Sequence, residues 1–155
     1  MRDGHGEVGE SSVVLLPYAP SSVATARWQL AADLREAGTM AAAIGDAALV
    51  LSELLSNAIR HARPLPGRTV RVAWTLADGS LRVSVSDGGG STRPHAGHPR
   101  PSSLGGRGLA IVEHLASHWG IRAADGEITV WAVLPAPCGR ATGPAAGEAA
   151  PPSEA

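Results

Sequence analysis

The stretch LSELLSNAIRHA, residues 51–62, sets Glu53, Asn57 and His61 four residues apart among Leu, Ala and Ile. Residues four apart share one face of an α-helix, so the three polar groups form a stripe. Ile44, Ala48, Leu51, Leu55, Ala58 and Ala62 form a second stripe, apolar and with the 3,4 spacing of a core-facing helix. The pattern predicts a helix over about 40–63, capped by Thr39 and ended by Pro64 and Pro66. Glu53, Asn57 and His61 fall roughly opposite Leu51 and Leu55, on a side that can border a cavity.

Outward from this helix, SVVLLPY (12–18) reads as a strand closed by Pro17. Ser21 or Ser22 caps a helix running to about Ala37, with Gly38 as its stop. TVRVAWTL (69–76) and SLRVSVSD (80–87) alternate as strands do, and Asp78-Gly79 between them is a hairpin signal. Residues 88–106 are mostly Gly, Ser, Pro and His, a long loop. GLAIVEHLASHWG (108–120) predicts a third helix stopped at Gly120, and IRAAD and EITVWAVLP form a second hairpin about Asp125-Gly126. The order β-α-α-β-β-loop-α-β-β is that of an α+β two-layer sandwich. One antiparallel or mixed sheet is covered on one face by about three helices. Strands joined by tight hairpins are not parallel, which excludes a Rossmann fold. Residues 1–11 read as a flexible polar leader, 12–134 as the folded domain, and 135–155, rich in Pro, Ala, Gly and Glu, as a disordered tail.

The chain has 155 residues, 44% hydrophobic and 17% charged, which suits one domain with a modest core. The 13 basic residues are all Arg, against 14 acidic ones. Near-neutral charge argues against direct nucleic-acid binding. The absence of Lys removes the P-loop and Schiff-base chemistry. Cys138 is the only cysteine, so neither an internal disulfide nor a thiolate zinc cluster can form. No uninterrupted apolar run approaches a membrane span and the N-terminus lacks a signal region, so the expectation is a cytoplasmic protein with no membrane contact.

Two further boxes carry chemistry. In VSDGGG (85–90) a strand ends on Asp87 before three glycines. A carboxylate there can accept a hydrogen bond from an exocyclic amine, and the bare backbone lets a flat base approach. In GGRGLAIVEHL (105–115) glycines lead into a helix whose first N–H groups can cradle phosphate, and Arg107 adds a guanidinium fork. With these, Asn57 offers a hard oxygen to Mg²⁺, and Glu53, one turn earlier, a base for an attacking hydroxyl. A metal site built from Asp87, His95 and His98 is set aside, because histidines in a polar loop are usually solvated.

ELLSNAIRHA, VSDGGG and GGRGLAIVEHLASHWG resemble the N, G1 and G2 boxes of the ATP-binding superfamily shared by gyrase, the heat-shock chaperone, histidine kinases and mismatch-repair ATPases. The likeness covers about residues 12–134 and is greatest to the stand-alone bacterial anti-sigma-factor serine/threonine kinases. It implies Glu53 as general base, Asn57 as the Mg²⁺ ligand and Asp87 with Gly89 at the adenine. Gly105, Gly106, Arg107, Gly108 and Leu109 would form the phosphate turn, and Thr129 would support adenine recognition. Two departures stand out. Ser91 replaces the last glycine of the G1 pattern, and Glu127 stands where many relatives carry a basic residue.

Too few residues precede Glu53 for the phosphoacceptor segment of a histidine kinase, and the Lys that gyrase-like enzymes take from a second domain is missing. The resemblance thus implies a kinase that uses ATP and Mg²⁺ to phosphorylate a Ser or Thr of an anti-sigma-factor antagonist, or holds a sigma factor, as one arm of a partner switch. Relatives pair with themselves, so a homodimer is among the states implied. The alternative is a nucleotide-dependent sequestering module without turnover. Glu53 favours the enzyme, because binding alone has no need of a base.

Overall fold

The computed structural model of the chain describes residues 10–90 and 107–139. The elements are β1 (Glu10–Pro17), α1 (Ser21–Glu36), α2 (Ala41–His61), β2 (Thr69–Ala77), β3 (Ser80–Asp87), α3 (Arg107–Leu115), β4 (His118–Ala124) and β5 (Glu127–Pro135). The strands form one five-stranded sheet in the order β1-β2-β3-β5-β4, antiparallel throughout. The three helices cover one face, so the α+β two-layer sandwich expected from the sequence is the observed fold.

Both hairpins turn where the sequence places them. Asp78 and Gly79 have φ of 54° and 74°, and Asp125 and Gly126 have 52° and 80°, the left-handed pairs of a type I′ turn. Each turn carries the twist its strands need, which fixes β2–β3 and β4–β5 in register. α1 ends at Gly38, φ 82°, with Thr39 N–H donating to Leu34 O and Gly38 N–H to Arg35 O. That crossed pair satisfies the last carbonyls of the helix.

Alternate strand residues point at the helices: Val70, Val72 and Trp74 from β2, Leu81, Val83 and Val85 from β3, Ala132 and Leu134 from β5. Against them pack Leu30 and Leu34 of α1, Val50, Leu51, Leu54 and Leu55 of α2, and Leu109 and Val112 of α3. The buried stripe of α2 is wider than its apolar spacing predicts. Leu51, Leu55 and Ala58 lie in it as expected, but Ala43, Ala47, Val50 and Leu54 join them while Ile44 and Ala48 sit at its margin. The reason is that α2 touches the sheet, α1 and α3 together. By length and composition α2 is also apolar enough to cross a membrane, and in this fold that apolarity serves the core.

Four expectations are corrected. The third helix stops at Leu115, and residues 118–120 belong to β4. Gly120 faces Trp131 across the β4–β5 ladder, where a Cβ would lie 2.7 Å from the indole, so the glycine clears room for a ring and does not end a helix. Ser21 and Ser22 cap nothing. Pro20 starts α1, and the buried Ser22 hydroxyl donates to Pro17 O at 2.6 Å. Thr39 does not cap α2, whose N-cap is Met40 with no side-chain bond.

The fourth correction concerns the chain after β5. Ala136 is 3% exposed within the core, its N–H donates to Gly79 O, Met40 N–H donates to Pro137 O, and Gly139 N–H donates to Gly38 O. Residues 136–139 therefore close over the junction of α1 and α2. A chain ending at Gly139 is expected to melt with the full-length protein. A chain ending at Pro135 should lose about 1–3 kcal/mol, from one buried apolar side chain and the hydrogen bonds it leaves unmade. Urea denaturation of the two truncations checks this.

Candidate functional site

The end of β3 is bolted to the chain leaving α2. Gly88 N–H donates to Arg63 O at 2.8 Å, and Arg63 N–H donates to Gly89 O at 2.7 Å. The approach is so close that a Cβ on Gly88 would lie 2.5 Å from Pro64 O, which only glycine tolerates. Gly89, φ 91°, then turns the chain away, as the G1 reading requires of it. These contacts set Asp87 beside the last turns of α2, the segment bearing Asn57 and His61.

Tyr18 closes the same corner from the other side. Its hydroxyl donates toward the carbonyls of Ile59 (2.9 Å), Ala58 (3.3 Å) and Ala62 at the C-terminal end of α2. Ala58 O also accepts the Ala62 N–H, and one phenol reaching this group of carbonyls holds the end of α2 against the end of β1. The Tyr18 pKa is raised, first by burial and then by the charge of Asp87, which puts the hydroxyl within electrostatic reach of that carboxylate. The sequence reading missed Tyr18. Its only signal was an aromatic with a polar tip directly after the strand-ending Pro17.

Asp87 is 5% exposed at the base of this corner. Its Oδ1 accepts the Gly89 N–H at 2.7 Å, and among the described residues the carboxylate has no other hydrogen bond and no cation. Burial pushes its pKa from 3.8 up to about 6, and the Gly89 N–H offsets only part of that. Asn57 is half-buried, yet its Nδ2 is closed to solvent and has no partner among the described residues. An orphaned amide and a half-satisfied buried carboxylate in one corner are the mark of a site built for something other than the fold. The two ends of an Asn amide exchange by a half-turn of its terminal torsion, so the position suits either a donor or a hard oxygen ligand. Glu53, one turn before Asn57, is half-buried with no hydrogen bond or ion pair among the described residues.

The remaining expected site residues divide. Arg107 and Gly108 open α3, as a helix-start phosphate turn requires, while Gly105 and Gly106 lie outside the described residues, as do Ser91, His95, His98 and most of the expected 88–106 loop. Leu109 does not line a cavity: at 1% exposure it is core, the first inward residue of α3. Thr129 is on the wrong face of the sheet. Its hydroxyl bonds the Ser86 hydroxyl at 2.7 Å, and by the alternation of strands both point away from the helices. The residue paired with Asp87 is Ile128, whose side chain also reaches Gly89. Any wall that β5 gives the site is therefore apolar. Glu127 is not merely a lost basic contact. It accepts a two-pronged ion pair from Arg71, at 2.8 and 2.9 Å, which spans β3 on the outer face.

The raised pKa of Asp87 has a signed consequence. Because its folded pKa lies above the unfolded one, stability is full below about pH 4 and falls as pH rises through about 6. The cost at neutral pH is on the order of 3 kcal/mol for a shift of about two pH units. Asp87→Asn removes the charge and should melt above the wild type at pH 7.5, with the two curves converging near pH 4. Thermal melts across that range check it, and a variant equally stable at every pH would show that Asp87 carries no burial penalty.

A family model for the histidine kinase-like ATPase domain matches residues 16–134. No curated protein matches the chain at a significant level. Among solved structures, that of the RsbU and RsbW domains of Rv1364c from Mycobacterium tuberculosis is similar, with a TM-score of 0.64 and 27% identity, covering 82% of this chain and 32% of that one. The chain thus spans about a third of that protein. With more than half of its length matched, and with the N-box helix and the Asp-Gly strand end bolted together, the chain belongs to the histidine kinase-like ATPase family.

Proposed function

We propose that the chain is an ATP-binding protein serine/threonine kinase of the anti-sigma-factor class. It would move the γ-phosphate of ATP to a Ser or Thr of an antagonist protein, and hold or release a sigma factor according to the outcome. The family supports nucleotide binding, and the likeness to an RsbW-containing protein supports the regulatory class. The observation that carries the nucleotide reading is Asp87, a buried carboxylate with one oxygen unbonded and no cation among the described residues, and bare glycine backbone beside it. An exocyclic amine donating to that oxygen would satisfy what the fold leaves open.

Residue roles follow from place and chemistry. Asp87 orients the base, with Ile128 and Gly89 beneath it. The start of α3, at Arg107 and Gly108, offers backbone N–H groups to the phosphates, and Gly105 and Gly106, which the sequence assigns to the same turn, lie outside the described residues. Asn57 is the residue suited to hold Mg²⁺, which would supply charge neutralisation beside that of Arg107 in a chain without lysine. Among the described residues the Asn57 Nδ2 has no hydrogen-bond partner, so no such contact fixes which end of the amide faces the site. Glu53 takes or orients the proton of the incoming hydroxyl. It carries no ion pair among the described residues, so its carboxylate is free for the task.

Asp87→Ala is expected to weaken ATP binding by about 1–3 kcal/mol in calorimetry, the cost of a lost hydrogen bond in a desolvated site. Unchanged affinity would remove the adenine assignment. Glu53→Gln should keep nucleotide affinity, since it relieves repulsion between carboxylate and phosphate. Single-turnover transfer to the partner should fall by roughly 10²-fold or more. Asn57→Ala should lose Mg²⁺-dependent binding and transfer together. ATP binding without transfer to any co-purifying protein would leave a sequestering module.

A further inference from the structure

The helices cover one face of the sheet, and on the other face one aromatic ring stands among arginines. Trp131 of β5 pairs with Gly120 across the β4–β5 ladder, and the missing Cβ there lets the indole lie against the neighbouring strand. The Arg82 guanidinium sits over that ring, 4.6 Å from its centre, and the His118 ring meets it edge-on at 5.6 Å. Register adds a second arginine. Arg82 pairs with Val133 and Arg122 with Thr129, the two residues that flank Trp131 on its own face of β5. Both arginines therefore stand diagonal to the indole, on opposite sides of it.

These two charges are not balanced. Among the described strand residues one acid, Glu127, stands on this face, and Arg71 holds it through both guanidinium nitrogens. Arg82 and Arg122 have no ion pair among the described residues. The Arg82 pKa is lowered, first by burial and then by the charge of Arg122, so the two cations are within electrostatic reach of each other. Arg122 lies on an edge strand, where a charge discourages another strand from adding. That does not account for Arg82, because β3 is the central strand of the five. Two like charges held close, one of them half-buried over a ring, gain from an anion what the described fold does not give them.

We propose that this outer face docks an extended acidic segment of a partner protein, its carboxylates meeting Arg82 and Arg122 on either side of Trp131. An open sheet face suits a peptide lying across the strands, whereas a small ligand needs concave walls. A guanidinium stacked on an indole keeps its N–H edge free, so Arg82 can take a carboxylate without leaving the ring. The arginines set the sign of the partner's charge, and Trp131 sets its class. With Arg82 over the ring and the Gly120 backbone against it, the indole offers no open face on which a nucleobase could stack. The chain's net charge of −1 at pH 7 supplies no wider field to draw a polyphosphate backbone. Asp87 points to the helix side of the sheet, so this docking face is separate from the proposed nucleotide site and needs no nucleotide.

Fluorescence anisotropy tests this without ATP, in about 50 mM salt, where screening is weak. The probe is a labelled decapeptide of alternating Glu and Ser, which sets its carboxylates on one face when extended. Its Gln–Ser counterpart and a labelled oligothymidylate run beside it. The acidic peptide is expected to bind the wild type at least about tenfold more tightly than either. The Arg82→Glu, Arg122→Glu double variant should lose at least about tenfold in affinity for it, with far-UV dichroism unchanged. Arg27→Glu with Arg35→Glu makes the same change in net charge on α1 and should bind the peptide within about twofold of the wild type, because a remote charge is screened. Amide resonances of the unmodified chain give a reading that needs no variant: the peptide should shift Arg82, Arg122 and the Trp131 indole N–H and leave α1 in place. No binding of the acidic peptide, equal binding of its neutral counterpart, tighter binding of the oligothymidylate, a double variant that still binds, an α1 variant that loses binding as fully, or shifts confined to the helix side would each overturn the proposal.

Discussion

Two backbone hydrogen bonds, Gly88 N–H to Arg63 O and Arg63 N–H to Gly89 O, hold the site together. They join the exit of the longest helix to the exit of a central strand, two places that neither the sheet ladder nor the core would bring into such close contact. The demand they make is steric and falls on one residue. Gly88 lies so near Pro64 O that any side chain would force the two exits apart. Pro64 contributes from the other partner, since its ring stops α2 and turns the carbonyls of Arg63 and Pro64 toward the strand. Tyr18 braces the same joint through the last carbonyls of α2. The polar stripe of α2 and the acid of β3 share a corner because of this joint, whereas the core beneath sets only how tightly the layers pack.

The corner is held at a cost to stability. Asp87 is ionised at neutral pH in a place that burial makes unfavourable, with one backbone N–H in partial return. Asn57 leaves a donor unpaired a short way along the chain's own helix. Neither is needed to close the core, which is built from Leu, Val, Ala and Trp74 with no Phe at all. Stability given up at a glycine-lined corner is the physical signature of binding groups kept ready for a ligand.

Sequence made the fold legible wherever local chemistry decides geometry. Asp-Gly pairs fix both hairpins, Gly38 ends α1, and Pro64 ends α2, each through its own φ preference. The third helix was overrun because HWG continues an apolar pattern that suits helix or strand. What settles it is Trp131, a partner on another strand, pressing its ring where Gly120 has no side chain. The site divides the same way. Asp87 and Asn57 announce themselves by residue type and spacing. Thr129 misled because its role depends on which face of β5 it occupies, a matter of register that a one-residue step reverses, and the step puts Ile128 at the site. Tyr18 was invisible because it serves the site from a distant part of the chain.

The distribution of arginines bears on how, under the proposed reading, a chain without lysine would hold a triphosphate. On the outer face of the sheet, Arg71 is tied to Glu127 by two hydrogen bonds, and Arg82 lies 4.6 Å over the Trp131 ring. Neither can swing through the sheet to the helix side. At the corner itself no described arginine pairs with Asp87, which keeps that carboxylate open for an amine and would be defeated by a nearby guanidinium. Under the proposed reading the phosphates are then met by the first turn of α3, whose N–H groups carry the positive end of the helix dipole, by Arg107 at its start, and by the metal that Asn57 is placed to hold. Under that reading base and phosphate recognition are kept electrically apart, with an acid that has no cation among the described residues at one end of the site and the helix start with its metal at the other. On the same proposed reading Glu53, one turn before Asn57 on α2, is the carboxylate that would meet an incoming hydroxyl.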